Sequence, residues 1–181
     1  MLPVRRILAS GALAALVLCA GSHARATQPV YFGAPSLVFP TSSMVWDSVT
    51  GDFDEDGLVD VVAACVSPEQ LAFLKGDGTG QLGTELATAT TAPAYDMEAA
   101  DMNGDTHLDI LLADGSAGAV LVHLGNGDGT FSAPLTLVVG GGVTDIAVGN
   151  LNGAGAPDVV ALATGPTRVI TLLGQPNGSL L

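Results

Sequence analysis

The sequence predicts an all-β protein made of repeated four-stranded antiparallel units, and three observations carry that expectation. First, the chain aligns with itself at an offset of 49 residues. Asp52 falls on Asp101 and Asn150, Gly57 on Thr106 and Gly155, and Asp60 on Asp109 and Asp158. Asp47, Asp96 and Asp145 keep the same offset, as do Gly76, Gly125 and Gly174, so the register holds across each unit. Second, each unit carries continuous apolar runs bounded by Gly, Asp and Pro, the pattern of strands buried on both faces. Third, no stretch beyond residue 26 shows the 3.6-residue periodicity of a helix.

The elements follow in order. Arg5 and Arg6, the apolar run 7–20 and the small-residue sequence ending Ala24-Arg25-Ala26 predict a secretory signal peptide over 1–26, cleaved after Ala26. Its apolar run is too short for an ordinary membrane span, and no later stretch is long enough, so the expectation is a secreted, periplasmic or cell-surface protein. Units are expected around 47–95, 96–144 and 145–181, with 31–46 as an outer strand in a permuted frame. After an acidic loop each unit runs into "LVDVVAACV", "LDILLA" or "PDVVALAT", then "LAFLK", "AVLVHLG" or "RVITLLG". A glycine turn follows, 76–80 or 125–130, where positive φ is cheap, and then a more polar fourth strand such as "FSAPLTLVV". Four strands per unit, the outer ones more polar, is the anatomy of a β-propeller blade. Three blades are too few for a ring of four to eight. The expectation is an incomplete or open propeller: a truncated longer one, an assembly of chains, or an open array whose edges invite self-association.

Charge narrows the partners. The chain carries 18 acids and 5 strong bases, and only Lys75 and Arg168 of those bases lie beyond the leader. Such a surface repels phosphate backbones and anionic membranes, so nucleic acid is not an expected partner. Cys65 is the one cysteine after residue 26, in an apolar run where a small buried side chain is expected. An exported domain without a disulfide needs another staple.

"YFGAPSL" at 31–37, "GNGDGTFSAPLTL" at 125–137 and the D-x-[DN]-x-D loops resemble the FG-GAP/VCBS repeats, whose members form integrin-α-like β-propellers with calcium loops. The first loop supplies Asp52, Asp54, Asp56 and Asp60, with the Leu58 carbonyl between the last two. The second supplies Asp101, Asn103, Asp105 and Asp109, with the His107 carbonyl rather than its ring. Oxygens at positions 1, 3, 5, 7 and 9 suit Ca²⁺, which accepts six to eight hard donors in flexible geometry. The third loop keeps Asn150, Asn152 and Asp158 but has Ala154 at position 5, and is expected to hold itself by Asn side-chain bonds to its backbone. None of these is an EF-hand, because position 12 is Ala63 or Leu112 rather than a bidentate Glu.

Other candidates reduce to structure. Lys75-Gly76-Asp77 falls in the glycine turn, His123 sits mid-strand without a ligand-spaced partner, and Trp46 is expected in the core rather than as a sugar platform. No catalytic constellation emerges. The function expected from the resemblance is a secreted, calcium-binding adhesion or binding module for an extracellular protein or glycan. The alternatives are a non-catalytic part of a larger polysaccharide-acting enzyme, and a structural surface spacer.

Overall fold

Asp60, Asp109 and Asp158 each open the second strand of a sheet, so the 49-residue period of the sequence is the period of the structure. The computed structural model describes residues 37–91, 94–153 and 155–181. The expected signal peptide, residues 31–36 of the expected outer strand, and Ala154 lie outside them. Strands β1 (Met44–Gly51), β2 (Asp60–Val66), β3 (Gln70–Leu74) and β4 (Leu86–Ala89) form one antiparallel sheet in chain order. Strands β5 (Ala94–Ala100), β6 (Asp109–Asp114), β7 (Ala119–His123) and β8 (Leu135–Val138) repeat it. Strands β9 (Gly142–Gly149), β10 (Asp158–Thr164) and β11 (Arg168–Leu172) form a third sheet of three.

The third unit has three strands, in keeping with the incomplete propeller expected from the sequence. Its glycine turn closes with a Gly174–Leu180 bridge, as Gly76–Leu82 and Gly125–Phe131 do. In the first two sheets the fourth strand starts four residues after that bridge, a position that falls beyond Leu181 in the third. One expectation is corrected: residues 44–46 belong to β1 rather than to an outer strand, since Met44 and Val45 pair with Val66 and Cys65, and 37–43 form no strand.

Alternation within each strand explains why the runs are continuously apolar. Ile110 and Leu112 face the first sheet, where they pack with Val62, Ala64, Leu71 and Phe73. Leu111 and Ala113 face the third sheet, against Val143, Val159 and Ala161. Successive side chains of one strand thus serve two cores. In β10 only one set is covered: Val159 and Ala161 are buried, whereas Leu162 and, on β11, Val169 are 38% and 67% exposed. Their counterparts one period earlier, Ala113 and Val120, are fully buried.

The first strands pack side by side, β1 on β5 and β5 on β9, and a carboxylate bridges each seam. Asp47 Oδ2 accepts the Met97 N–H at 2.9 Å, and Asp96 Oδ2 accepts the Ile146 N–H at 2.8 Å. Each first strand also carries a β-bulge near its start, at Trp46, at Tyr95–Asp96 and at Thr144. A bulge turns a side chain off the sheet face. Trp46 is accordingly 49% exposed and meets Tyr95 edge-on at 5.2 Å, which corrects its expected place in the core.

These seams concentrate negative charge. Burial, then the neighbouring Asp145 and Asp47 carboxylates, push Asp96 above its ordinary value, and burial with Asp96, Asp145 and Asp47 does the same to Glu98. A carboxyl whose folded value is raised favours folding below its unfolded value. That contribution is lost as pH rises through the raised one. Asp145→Asn removes one of the repelling charges. We predict that it stabilises the fold by about 0.5 kcal/mol at pH 7, on the scale of surface charge pairs. In thermal melts the gain should shrink toward zero at pH 3, below the raised values of Asp96 and Glu98.

Candidate metal centre

Each acidic loop is tied to the rest of its sheet by the aspartate at its ninth position. Asp60, Asp109 and Asp158 have no exposed surface, and both oxygens of each accept backbone N–H groups. Asp60 Oδ2 takes Phe53 N at 3.0 Å and Oδ1 takes Gly76 N at 2.8 Å. Asp109 takes Met102 N at 2.7 Å and Gly125 N at 2.8 Å. Asp158 takes Leu151 N at 2.8 Å and Gly174 N at 3.0 Å. One carboxylate therefore clamps the start of the acidic loop to the glycine turn. The turn must lie close to the chain leading into the second strand. A Cβ on Gly76, Gly125 or Gly174 would come within 2.0, 2.2 or 1.8 Å of the carbonyl oxygen of Val59, Leu108 or Pro157, so only glycine fits.

The clamps differ electrostatically. The N–H groups of Gly174, and also of Leu151 and Asn152, hold Asp158 below the ordinary carboxylate range. Burial pushes Asp109 up despite its amide partners, and the Asp105 and Asp101 charges add to the rise.

In the first loop Asp52, Asp54 and Asp60 bring one carboxylate oxygen each within 4.8 Å of one another, a spacing that can hold a metal ion. Two oxygens in this group are orphaned: Asp52 Oδ1 and Asp54 Oδ1 are buried and have no hydrogen-bond partner. Buried anionic oxygens require a donor or a cation. Neighbouring main chain leaves those oxygens free, because Asp52 uses its Oδ2 for Gly57 N at 2.9 Å. Asp56 stands at the edge of the group, accepting Leu58 N at 2.8 Å on Oδ1 and the Lys75 ammonium at 2.7 Å on Oδ2. Lys75 also bonds Asp54 Oδ2. Its hydrogen bond, before that of Leu58 N–H, holds Asp56 below its ordinary value. Leu58 itself is 37% exposed.

The second loop spends its oxygens on itself. Asp101 accepts Gly104 N at 2.7 Å and Thr106 N at 2.9 Å. Asp105 accepts Asn103 Nδ2 at 2.8 Å and His107 N at 2.9 Å. The His107 ring points away from a ligand role, with Nδ1 at 2.5 Å from Glu55 Oε1 in the first loop. That carboxylate holds the imidazole above its ordinary value. Thr106, in the place of Gly57, sits at φ 78°, where a β-branched residue costs about 1–2 kcal/mol. In the third loop Asn150 Oδ1 accepts Gly153 N at 2.6 Å, the bond to backbone expected of it, whereas Asn152 Nδ2 reaches the Asp158 side chain, at 3.2 Å from Oδ1. Among the described residues, the group of three acids close enough for a metal is the one in the first loop.

Sequence reasoning gave the ninth-position acids to metal alone and missed their clamp. A signal existed: Asp158 persists in a loop that has lost its other carboxylates. It also missed Lys75 and Glu55, whose partners are fixed by the fold. His123 is a packed histidine as expected, fully buried, with Nε2 2.9 Å from Thr90 Oγ1 and Nδ1 2.9 Å from the Ser132 carbonyl. Cys65 is buried and free. In chelator, Asp60→Ala should lower unfolding stability in urea by about 3 kcal/mol, since two buried amides lose a charged acceptor. Asp52→Ala, which removes one exposed loop bond, should change it by less than about 1 kcal/mol.

Among curated proteins, none matches the chain. Residues 52–112 and 101–161 each match the FG-GAP-like repeat, and the two stretches overlap on the second acidic loop. They run from loop to loop, through the sheets that the clamps define, and together cover more than half of the sequence. The chain belongs to the FG-GAP-like repeat family, with the all-β, open blade architecture of integrin-α-like propellers.

Proposed function

We propose that the first loop binds Ca²⁺ and that the protein is a secreted, calcium-stabilised module that binds an extracellular protein or glycan without catalysis. The orphaned pair, Asp52 Oδ1 and Asp54 Oδ1, carries the metal reading. The donors are all oxygen, which suits a hard ion and disfavours zinc, whose sites are built from nitrogen and sulfur. Asp52, Asp54 and Asp60 form the centre, with Asp56 and the Leu58 carbonyl completing it. The second loop, with Asp101, Asn103, Asp105, His107 and Asp109, binds more weakly because it offers one carboxylate fewer and its oxygens already hold amides. Repulsion among the first-loop acids opposes folding, and a divalent ion bound to the folded form reverses that.

The binding role rests on the family, on the acidic surface, and on the apparent leader that would export the chain with cleavage near Ala26. The exported setting supplies the millimolar calcium that such modules use, with dissociation constants of roughly 10⁻⁴ to 10⁻³ M. The open edge of β11, next to exposed Leu162 and Val169, is a surface for self-association or for a partner strand. No helix among the described residues is long and apolar enough to cross a membrane.

Titrating Ca²⁺ to 10 mM into the chelator-treated protein should raise its stability by about 2 kcal/mol at such affinities, seen as a melting point several degrees higher. Mg²⁺ should do less. Asp52→Asn with Asp54→Asn should abolish the shift, and a wild-type protein whose melting point ignores Ca²⁺ would refute the metal reading.

A further inference from the structure

Lys75 leaves the end of β3 and enters the glycine turn, where its ammonium bonds Asp54 Oδ2 and lies 2.7 Å from Asp56 Oδ2. We infer that Lys75 is a tethered counter-cation of the first loop: it shares carboxylate groups with the calcium ion, is driven off by charge repulsion as the ion enters, and so sets the affinity of the site. The inference rests on the reading of this loop as a calcium centre.

Three observations support it. The two oxygens that Lys75 holds belong to positions 3 and 5 of the ligand set, while the orphaned oxygens belong to positions 1 and 3. Asp54 therefore faces the ion with one oxygen and the ammonium with the other, and the two cations repel across a single carboxylate. Next, the lysine side chain is 49% exposed whereas Asp54 is 11% exposed. The acid is fixed and the base can swing into water on its flexible stem at little cost. Last, Lys75 is the one lysine in the sequence, and the 49-residue register puts Leu124 and Leu173 in its place in the other two units. It occurs beside the loop that has Asp at all of positions 1, 3, 5 and 9, and not beside the loops that have lost acids. Its charge offsets repulsion that only the first loop has.

A built-in ammonium competes as a ligand held at high local concentration would. It stabilises the ion-free loop and subtracts from the affinity for any incoming cation. Exchange of one positive charge for two also leaves the loop more neutral with the ion than without it, so displacement proceeds once calcium reaches the millimolar range. The lysine thereby favours a divalent ion over a monovalent one, which gains too little to displace it.

The test is Lys75→Met, which keeps the stem and removes the charge, with Arg168→Met as a control for net charge. Calcium binding to each full-length protein is measured by isothermal titration, and melting points are taken in chelator and in 10 mM Ca²⁺. Lys75→Met should tighten binding roughly 3- to 10-fold, the scale of one partly exposed charge pair. It should melt below wild type in chelator and at or above it in calcium, while Arg168→Met leaves the affinity within twofold. Equal or weaker binding by Lys75→Met, or equal tightening by both variants, overturns the inference while leaving the calcium centre standing. Absence of binding to wild type and Lys75→Met alike overturns the calcium centre, and the role given to Lys75 with it.

Discussion

A buried carboxylate that accepts two backbone amides holds every sheet of this protein together. Asp60, Asp109 and Asp158 sit where the acidic loop ends and the second strand begins, and each reaches the first residues of the loop on one side and the glycine turn on the other. The loop is thereby fastened at both ends before any ion is considered. Its remaining side chains, at positions 1, 3 and 5, are not needed for that fastening. An acid buried without such partners would be neutralised or would unfold its surroundings. Paired to two amides, it becomes the fixed point from which β2, β6 and β10 run into the two cores.

The same arrangement explains how three copies diverge without losing the fold. The third loop keeps its clamp, Asp158, and replaces the first and third acids with Asn150 and Asn152. There the Asn150 amide oxygen bonds the loop's own backbone at Gly153. The second keeps three carboxylates but turns Asp101 and Asp105 onto its own N–H groups. Among the described residues, only in the first do acids converge with oxygens to spare, and there a lysine from the turn offsets part of the charge. Shape is thus held by position 9, and the cation chemistry is set by positions 1, 3 and 5 and by the residue that follows the third strand.

Much of this was legible in the sequence. The 49-residue offset located all three sheets, and the continuous apolar runs were read as strands covered on both faces, as β2 and β6 are. The loops were found because alternating acids around a glycine are rare outside cation sites and turns. Other features depend on neighbours that no spacing reveals. A clamp and a ligand are both aspartates, and what separates Asp109 from Asp105 is which amides the folded chain brings to it. Lys75 lies 19 residues beyond Asp56 and meets it only because β2 and β3 pair. Trp46 reads as core by residue type, yet a bulge of one extra residue turns it to the surface.

Amide hydrogen exchange of the chelator-treated protein, resolved by residue, tests the clamp most directly. If buried carboxylates hold the loops, Phe53, Gly76, Met102 and Gly125 will exchange as slowly as Leu111 and Leu112 in the middle of β6, through global unfolding alone, although all four lie outside the strands. The N–H groups of Gly57 and Thr106, exposed residues bonded to half-buried acids in the same loops, will exchange orders of magnitude faster. Fast exchange at all of these loop positions, with protection confined to the strands, would contradict the account.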